Sequence, residues 1–271
     1  MKKTLIVSIP KAGTYFFSEV LKNLGLRQTW LHLNVDHYED YTNADFDTAQ
    51  KKPTDFTCNV KLADALASIN AGDFAVGHLP AGNRYLEKGG VVRNRLLEDF
   101  SVFFLVRDLR KCIISLMNFE LFMRESSSDY KEWPDQERLV RFLQEREESL
   151  YHMYKGLLPW FWQKQVTVLR YENLIAADVG SFAGFGAGEI REAIRIALAT
   201  QTLTSSTRES TIEKYWSGQA DKLYRRRIAG INNVFGYDLA PGRRGNLVRD
   251  MVGLRYRTGF VLYEACRHLI P

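Results

Sequence analysis

Lys11, Gly13 and Thr14 stand together in the string Pro10-Lys11-Ala12-Gly13-Thr14-Tyr15. A lysine acting as a point charge, a glycine that lets the backbone curl, and a hydroxyl together suit an anion. Loop N–H groups and the start of a following helix would hold it. The string is not the Gly-x4-Gly-Lys-Ser/Thr phosphate loop, because it has one glycine and the lysine precedes it. A plainer reading stands beside this one: a corner in which Gly13 serves the turn and Lys11 is solvated. His78 lies in Gly77-His78-Leu79-Pro80, just before a proline that forces the chain out of a strand. A neutral imidazole there can take a proton from a hydroxyl; a histidine that merely caps the strand is the alternative. Arg107 opens Arg107-Asp108-Leu109-Arg110, and Ser115 follows eight residues on. A guanidinium fork with a hydroxyl suits a phosphate monoester, while an Arg107–Asp108 ion pair at a helix start is the competing account.

Each of these groups stands at the end of an apolar run. Thr4 to Ile9 reads as a buried strand, and Phe16, Phe17, Val20, Leu21 and Leu24 recur at helical spacing after the loop. Asp73 to Leu79 reads as a short strand carrying His78 near its end. Phe100 to Val106 is continuously apolar, as an interior parallel strand should be. It runs into Arg107, after which Ile113, Ile114, Leu116 and Met117 begin a helix. Gln165 to Leu169 is a fourth strand, entering Arg170-Tyr171-Glu172-Asn173-Leu174. Helical spacing also marks 61–70, 91–99, 135–155, 189–198 and 246–269.

Arg27 to Pro53 has no helical period and reads as an acceptor-binding or surface loop. Its His32, Asp36, His37, Glu39 and Asp40 fit no closed zinc site. Phe119 to Glu132 turns polar, with a loop over Ser126-Ser127-Ser128-Asp129. Four strands alternating with helices, with no internal repeat or low-complexity linker, predict one α/β domain over residues 1–271. It would be a mostly parallel central sheet flanked by helices, with a phosphate-binding corner. Sites in open sheets of this kind lie beyond the carboxyl ends of the strands, where all three motifs stand.

Composition sets wider bounds. At 271 residues and 45% hydrophobic content the chain can bury a full core. Cys58, Cys112 and Cys266 are far apart, with neither disulfide nor metal-ligand spacing, which suits a reducing compartment. Lys2-Lys3 followed by Thr4 to Ile9 mimics a signal peptide, but Pro10-Lys11 cuts the apolar run short. No run reaches transmembrane length, so a soluble cytoplasmic protein is expected. The net charge is +5, and residues 201–271 hold 12 Lys and Arg against 6 Asp and Glu. A basic tail of this kind can bind nucleic acid or a membrane surface, close over a polyanionic cofactor, or be a solvated helix face.

Taken in order, the three motifs resemble those of sulfotransferases that use 3′-phosphoadenosine 5′-phosphosulfate (PAPS). Pro-Lys-Ala-Gly-Thr is similar to that family's 5′-phosphosulfate loop, and Gly-His-Leu-Pro to the segment bearing its catalytic base. Arg-Asp-x-Arg-x4-Ser resembles its 3′-phosphate motif, with Leu109 where the family has proline. Arg170-Tyr171-Glu172-Asn173-Leu174 resembles Arg-Tyr-Glu-Asp-Leu, whose tyrosine contacts adenine. The resemblance spans residues 4–240. It implies that Lys11, Ala12, Gly13, Thr14, Tyr15, Arg107, Ser115 and Tyr171 bind the nucleotide, and that His78 and Lys11 are catalytic. The donor would be PAPS, the product 3′-phosphoadenosine 5′-phosphate (PAP), and no metal would be needed.

The resemblance weakens at the family's closing Arg-Lys-Gly-x-x-Gly-Asp-Trp. Here Gly218 and Asp221 fit loosely, and Arg225, Arg226 or Arg227 would have to supply the charge. A hydroxyl among Thr202, Thr204, Ser205, Ser206, Thr207, Ser210 and Thr211 would reach the nucleotide. The expected partner is a small-molecule acceptor bearing a hydroxyl or amine, with no nucleic acid and no membrane. Residues 30–46 and 119–133 would line its pocket. Rival readings are a P-loop small-molecule kinase, which would need a Lys-Ser/Thr pair after a second glycine, a non-catalytic binder using its basic tail, and a carbohydrate or lipid sulfotransferase. The sequence does not give an oligomeric state.

Overall fold

The structure, a computed structural model, describes residues 2–42, 53–123, 129–200 and 211–237. Seven strands form one sheet: β1 (Lys3–Ser8), β2 (Arg27–Leu33), β3 (Tyr38–Asp40), β4 (Thr57–Cys58), β5 (Asp73–Gly77), β6 (Phe100–Val106) and β7 (Val166–Arg170). Their order is β4-β3-β2-β5-β1-β6-β7. The strands from β2 through β7 in that order run parallel, and β3 and β4 add an antiparallel edge beside β2. β1, paired on both sides, is buried from Thr4 to Ser8, which is why it reads as an unbroken apolar run.

Consecutive side chains of a strand point to opposite faces, and β6 shows both faces covered. Phe103 meets Phe17 of helix α1 (Thr14–Asn23) and Phe182, with ring centroids 5.2 Å apart in each case. Phe104, its neighbour, meets Phe235 at 6.0 Å, and Phe161 packs on Phe235 at 5.4 Å. Among the described residues the remaining helices are α2 (Leu62–Ala67), α3 (Asn83–Lys88), α4 (Arg93–Asp99), α5 (Leu109–Asn118), α6 (Asp135–Leu157), α7 (Tyr171–Ile175), α8 (Ala187–Leu198), α9 (Ile212–Tyr215), α10 (Gly218–Arg227) and α11 (Ala229–Val234).

All four strands expected from the sequence are present. The segment from Arg27 to Pro53, expected to be irregular, instead carries β2 and β3, and β4 follows it. β2 escapes pattern reading because it is polar and interrupted. Its pairing with β5 slips between Gln28 and His32, and Trp30 adopts a left-handed φ of 61°. Its start is pinned by Arg27, which donates two hydrogen bonds of 2.8 Å to the buried Asp73. Residues 119–123 form a wide π-type turn continuing α5, and of the loop expected over 126–129 all but Asp129 lies outside the described residues. The expected helix over 246–269 and the hydroxyl cluster from Thr202 to Ser210 lie outside the described residues. No helix among the described residues is long and apolar enough to cross a membrane.

The register levels the strand ends. Val7 pairs with Gly77 on one side of β1, and Ser8 with Leu105 on the other. The chain after Ser8, His78 after Gly77, and Arg107 after Val106 therefore emerge side by side.

Candidate active site at the strand ends

The loop leaving β1 is wound by two left-handed residues, Lys11 (φ 66°) and Gly13 (φ 94°), with Ala12 buried between them and its N–H donating to Ile9 at 3.0 Å. Gly13 is required twice over. Its φ favours glycine, and a Cβ there would lie 2.4 Å from Cδ2 and 2.5 Å from Cε2 of Tyr171. Gly13 is also the N-cap of α1 and provides no side-chain cap, and no acidic residue stands in the first helical turn. The first N–H groups of α1 thus have neither a side-chain cap nor an acidic residue in their own turn. Thr14 is buried, its hydroxyl 2.7 Å from Ser8 Oγ. Lys11 Nζ sits 4.2 Å above the ring of Phe119.

Arg107 reaches back to this loop. Its Nη1 donates to the Lys11 carbonyl at 3.1 Å, and its Cζ lies 4.5 Å over the Tyr171 ring. Nε of the same guanidinium is buried without a partner, a donor that an anionic oxygen would satisfy. The Arg107–Asp108 ion pair is not formed. Asp108 instead caps α5, accepting from Arg110 N at 3.0 Å and pairing with Arg110 Nη2 at 2.8 Å. Asn232 of α11, fully buried, closes that corner: it donates to Asp108 at 3.2 Å and accepts from Leu109 N at 2.9 Å.

His78 completes the site. Its Nδ1 is 2.8 Å from the Ser8 carbonyl, which can only accept, so Nδ1 carries the proton and Nε2 presents a lone pair. Burial depresses its pKa to about 4, with Lys11 adding to the effect and the Ser8 bond opposing it. At neutral pH this imidazole is a neutral base. The peptide after it is fixed by Trp160, whose indole donates to Leu79 O at 2.7 Å, and by Ala81 N bonding to Gly156 O at 2.9 Å.

Among solved structures, the chain is similar to the crystal structure of mouse sulfotransferase SULT7A1 complexed with PAP, with a TM-score of 0.54 and 13% identity over 92% of this chain and 87% of that one. The fold is that of a sulfotransferase. A looser likeness, to retinol dehydratase in complex with androsterone and inactive cofactor PAP, has a TM-score of 0.41 and 14% identity over 83% of this chain and 63% of that one, and decides nothing. No family model and no curated protein matches the sequence.

Within this sulfotransferase fold the structure joins Lys11, Ala12, Gly13, Thr14, Arg107, Tyr171 and His78 in one place. Tyr15 lies on the first turn of α1, its hydroxyl 3.2 Å from His32 Nδ1. Ser115 stands half-buried within α5, and its hydroxyl makes no hydrogen bond among the described residues. The three C-terminal arginines already have carboxylate partners. Arg225 pairs with Asp221 at 2.5 Å, Arg226 with the buried Glu147 at 3.0 Å, and Arg227 with Glu147 and Glu148 at 3.7 and 3.6 Å. Arg170 and Glu172 brace the chain's return, Arg170 donating to Phe235 O at 2.9 Å and Glu172 accepting from Tyr237 at 2.5 Å.

Sequence reasoning missed Asn232, Trp160 and the proximity of His32 to the site. Asn232 and Trp160 act through tertiary bonds with no local signature. His32 was visible only as one of several polar residues in an unpatterned stretch. Among the described residues no group of three His, Cys, Asp or Glu is placed to hold a metal.

Proposed function

We propose that this protein is a PAPS-dependent sulfotransferase that moves a sulfuryl group to the hydroxyl or amine of a small-molecule acceptor. One observation carries the reading. The Arg107 guanidinium bonds to the carbonyl of Lys11 and lies over Tyr171, which itself packs on Gly13. A phosphate-binding arginine and an anion loop are thereby locked together beside the neutral His78.

The residues suit such a donor on their own chemistry: an uncapped helix start, a glycine with no room for a Cβ, and an orphaned guanidinium nitrogen. When bound, the donor supplies the sulfuryl group and leaves as PAP. The α1 N–H groups with Lys11 and Thr14 would hold the 5′ end and stabilise charge developing there. Arg107, aided by Ser115, would fix the 3′-phosphate and set register, with Tyr171 offered to the adenine. His78 Nε2 would accept the acceptor's proton, a contribution of about a hundred- to ten-thousand-fold in rate. The half-buried polar strand β2, beside β5, and β3 next to it would face the acceptor.

Titrating PAP into the protein by calorimetry tests this reading. Micromolar or tighter binding without added metal is expected. No heat of binding would end the proposal.

A further inference from the structure

His32 lies outside every motif that points to the nucleotide, yet the fold brings it to the base. After the slip in β2, with Trp30 left-handed, His32 is level with Val76, two residues before His78. The two imidazoles form an edge-to-face pair, with centroids 4.8 Å apart and planes at 65°. The Tyr15 hydroxyl, from α1, lies 3.2 Å from His32 Nδ1. Across the antiparallel β2–β3 pair, Glu39 stands directly opposite His32. Burial above all, with Tyr41 and Glu39 adding to it, pushes the pKa of the Tyr15 hydroxyl up. Tyr15, His32, Glu39 and Tyr41 are thus one cluster, which reaches His78 through the His32 ring.

A base that succeeds becomes positive. As the acceptor's O–H bond breaks, its proton passes to His78 Nε2 and the ring turns into an imidazolium, which burial and Lys11 both disfavour. A His32 ring that turns its face to the His78 edge attracts it as it becomes positive, and Glu39, opposite His32 in the β2–β3 register and acting on Tyr15, brings a carboxylate to the same cluster.

We propose that His32, backed by Glu39 and held by Tyr15, is a positioning residue for the base: it fixes the His78 ring and stabilises the positive charge that ring acquires. The inference rests on the proposed function, in which His78 is that base.

The test is an NMR titration of the His78 ring in the full-length protein, in wild type, His32→Phe and Glu39→Gln, between pH 3.5 and 8. Glu39→Gln is nearly isosteric and guards against a folding defect in the other variant. Both variants should titrate lower than wild type by about half a unit or more. Their kcat should fall about tenfold or more, with KM for PAPS and affinity for PAP unmoved. A His78 titration shifted by less than that in both variants overturns the inference, as does a loss confined to KM. Failure of the wild type to bind PAP would instead sink the proposed function and leave the titration result standing.

Discussion

Two corners of the sheet carry out the same turn, strand into helix, and are finished in opposite ways. Where β1 enters α1 the helix start is open: Gly13 caps nothing, Lys11 and Gly13 take left-handed backbone, and the first N–H groups look outward. Where β6 enters α5 the helix start is closed: Asp108 caps it, Arg110 neutralises the cap, and Asn232 takes the Leu109 N–H. The closed corner spends its polar groups on itself and releases one, the guanidinium of Arg107, toward the open corner. One corner leaves its helix start uncapped, the other holds a guanidinium still, and the left-handed backbone lies at the uncapped one.

Changes at the open corner should cost most. Gly13→Ala forces a Cβ into the Tyr171 ring and an L side chain into a φ of 94°. The backbone term alone is about 1–3 kcal/mol, and displacing Tyr171 removes the surface on which Arg107 rests. A lowered melting temperature together with loss of PAP binding is expected, and a variant that binds PAP like wild type would contradict this account of the loop. Arg107→Ala comes next. It leaves the cap of α5 intact, so stability should change little while PAP affinity falls about a hundredfold, the scale of one or two hydrogen bonds to a charged group. Arg107→Lys should recover only part of it, because an ammonium has no fork. Equal affinity by calorimetry for wild type and Arg107→Ala would remove Arg107 from the site.

The closed corner should answer in the other currency. Asn232→Ala strands the buried Leu109 N–H and removes one donor to Asp108. Chemical denaturation should show a loss of about 1–3 kcal/mol, with PAP affinity changed less than about tenfold. If affinity fell as far as in Arg107→Ala while stability held, the division between the two corners would be wrong.

How much of this was legible follows from where the determinants lie. β1, β5, β6 and β7 and the groups at their ends could be read from sequence because apolar runs are local and end abruptly at Lys11, His78, Arg107 and Tyr171. β2 could not, since a strand that is half-buried, polar and slipped in register has neither an apolar run nor clean alternation. The placing of Arg107 on the Lys11 carbonyl rather than on Asp108 depends on Asn232, more than a hundred residues away, and no window of sequence contains that. The clamp sought among Arg225, Arg226 and Arg227 illustrates the same limit from the other side, because Glu147 on α6 engages two of the three only once α10 packs against it.

The last effect concerns His78, which bonds to Ser8 at the end of β1. Its ring is neutral in the folded protein, with a pKa of about 4 against 6.5 when unperturbed. The unfolded chain therefore takes up a proton between those values and the folded one does not, so stability rises with pH across that window. The contribution is fully present above about pH 6.5 and is lost as pH falls toward about 4. The Arg27–Asp73 pair titrates elsewhere: hydrogen bonding to Arg27 lowers the Asp73 pKa from 3.8, so its contribution disappears only at lower pH. Denaturation curves at several pH values should thus show a slope between pH 6.5 and 4 that flattens in His78→Gln. A slope unchanged by the substitution would mean that His78 is solvated and free to protonate, and a ring of that kind would be a poorer base at the strand ends than the Ser8 hydrogen bond and its burial imply.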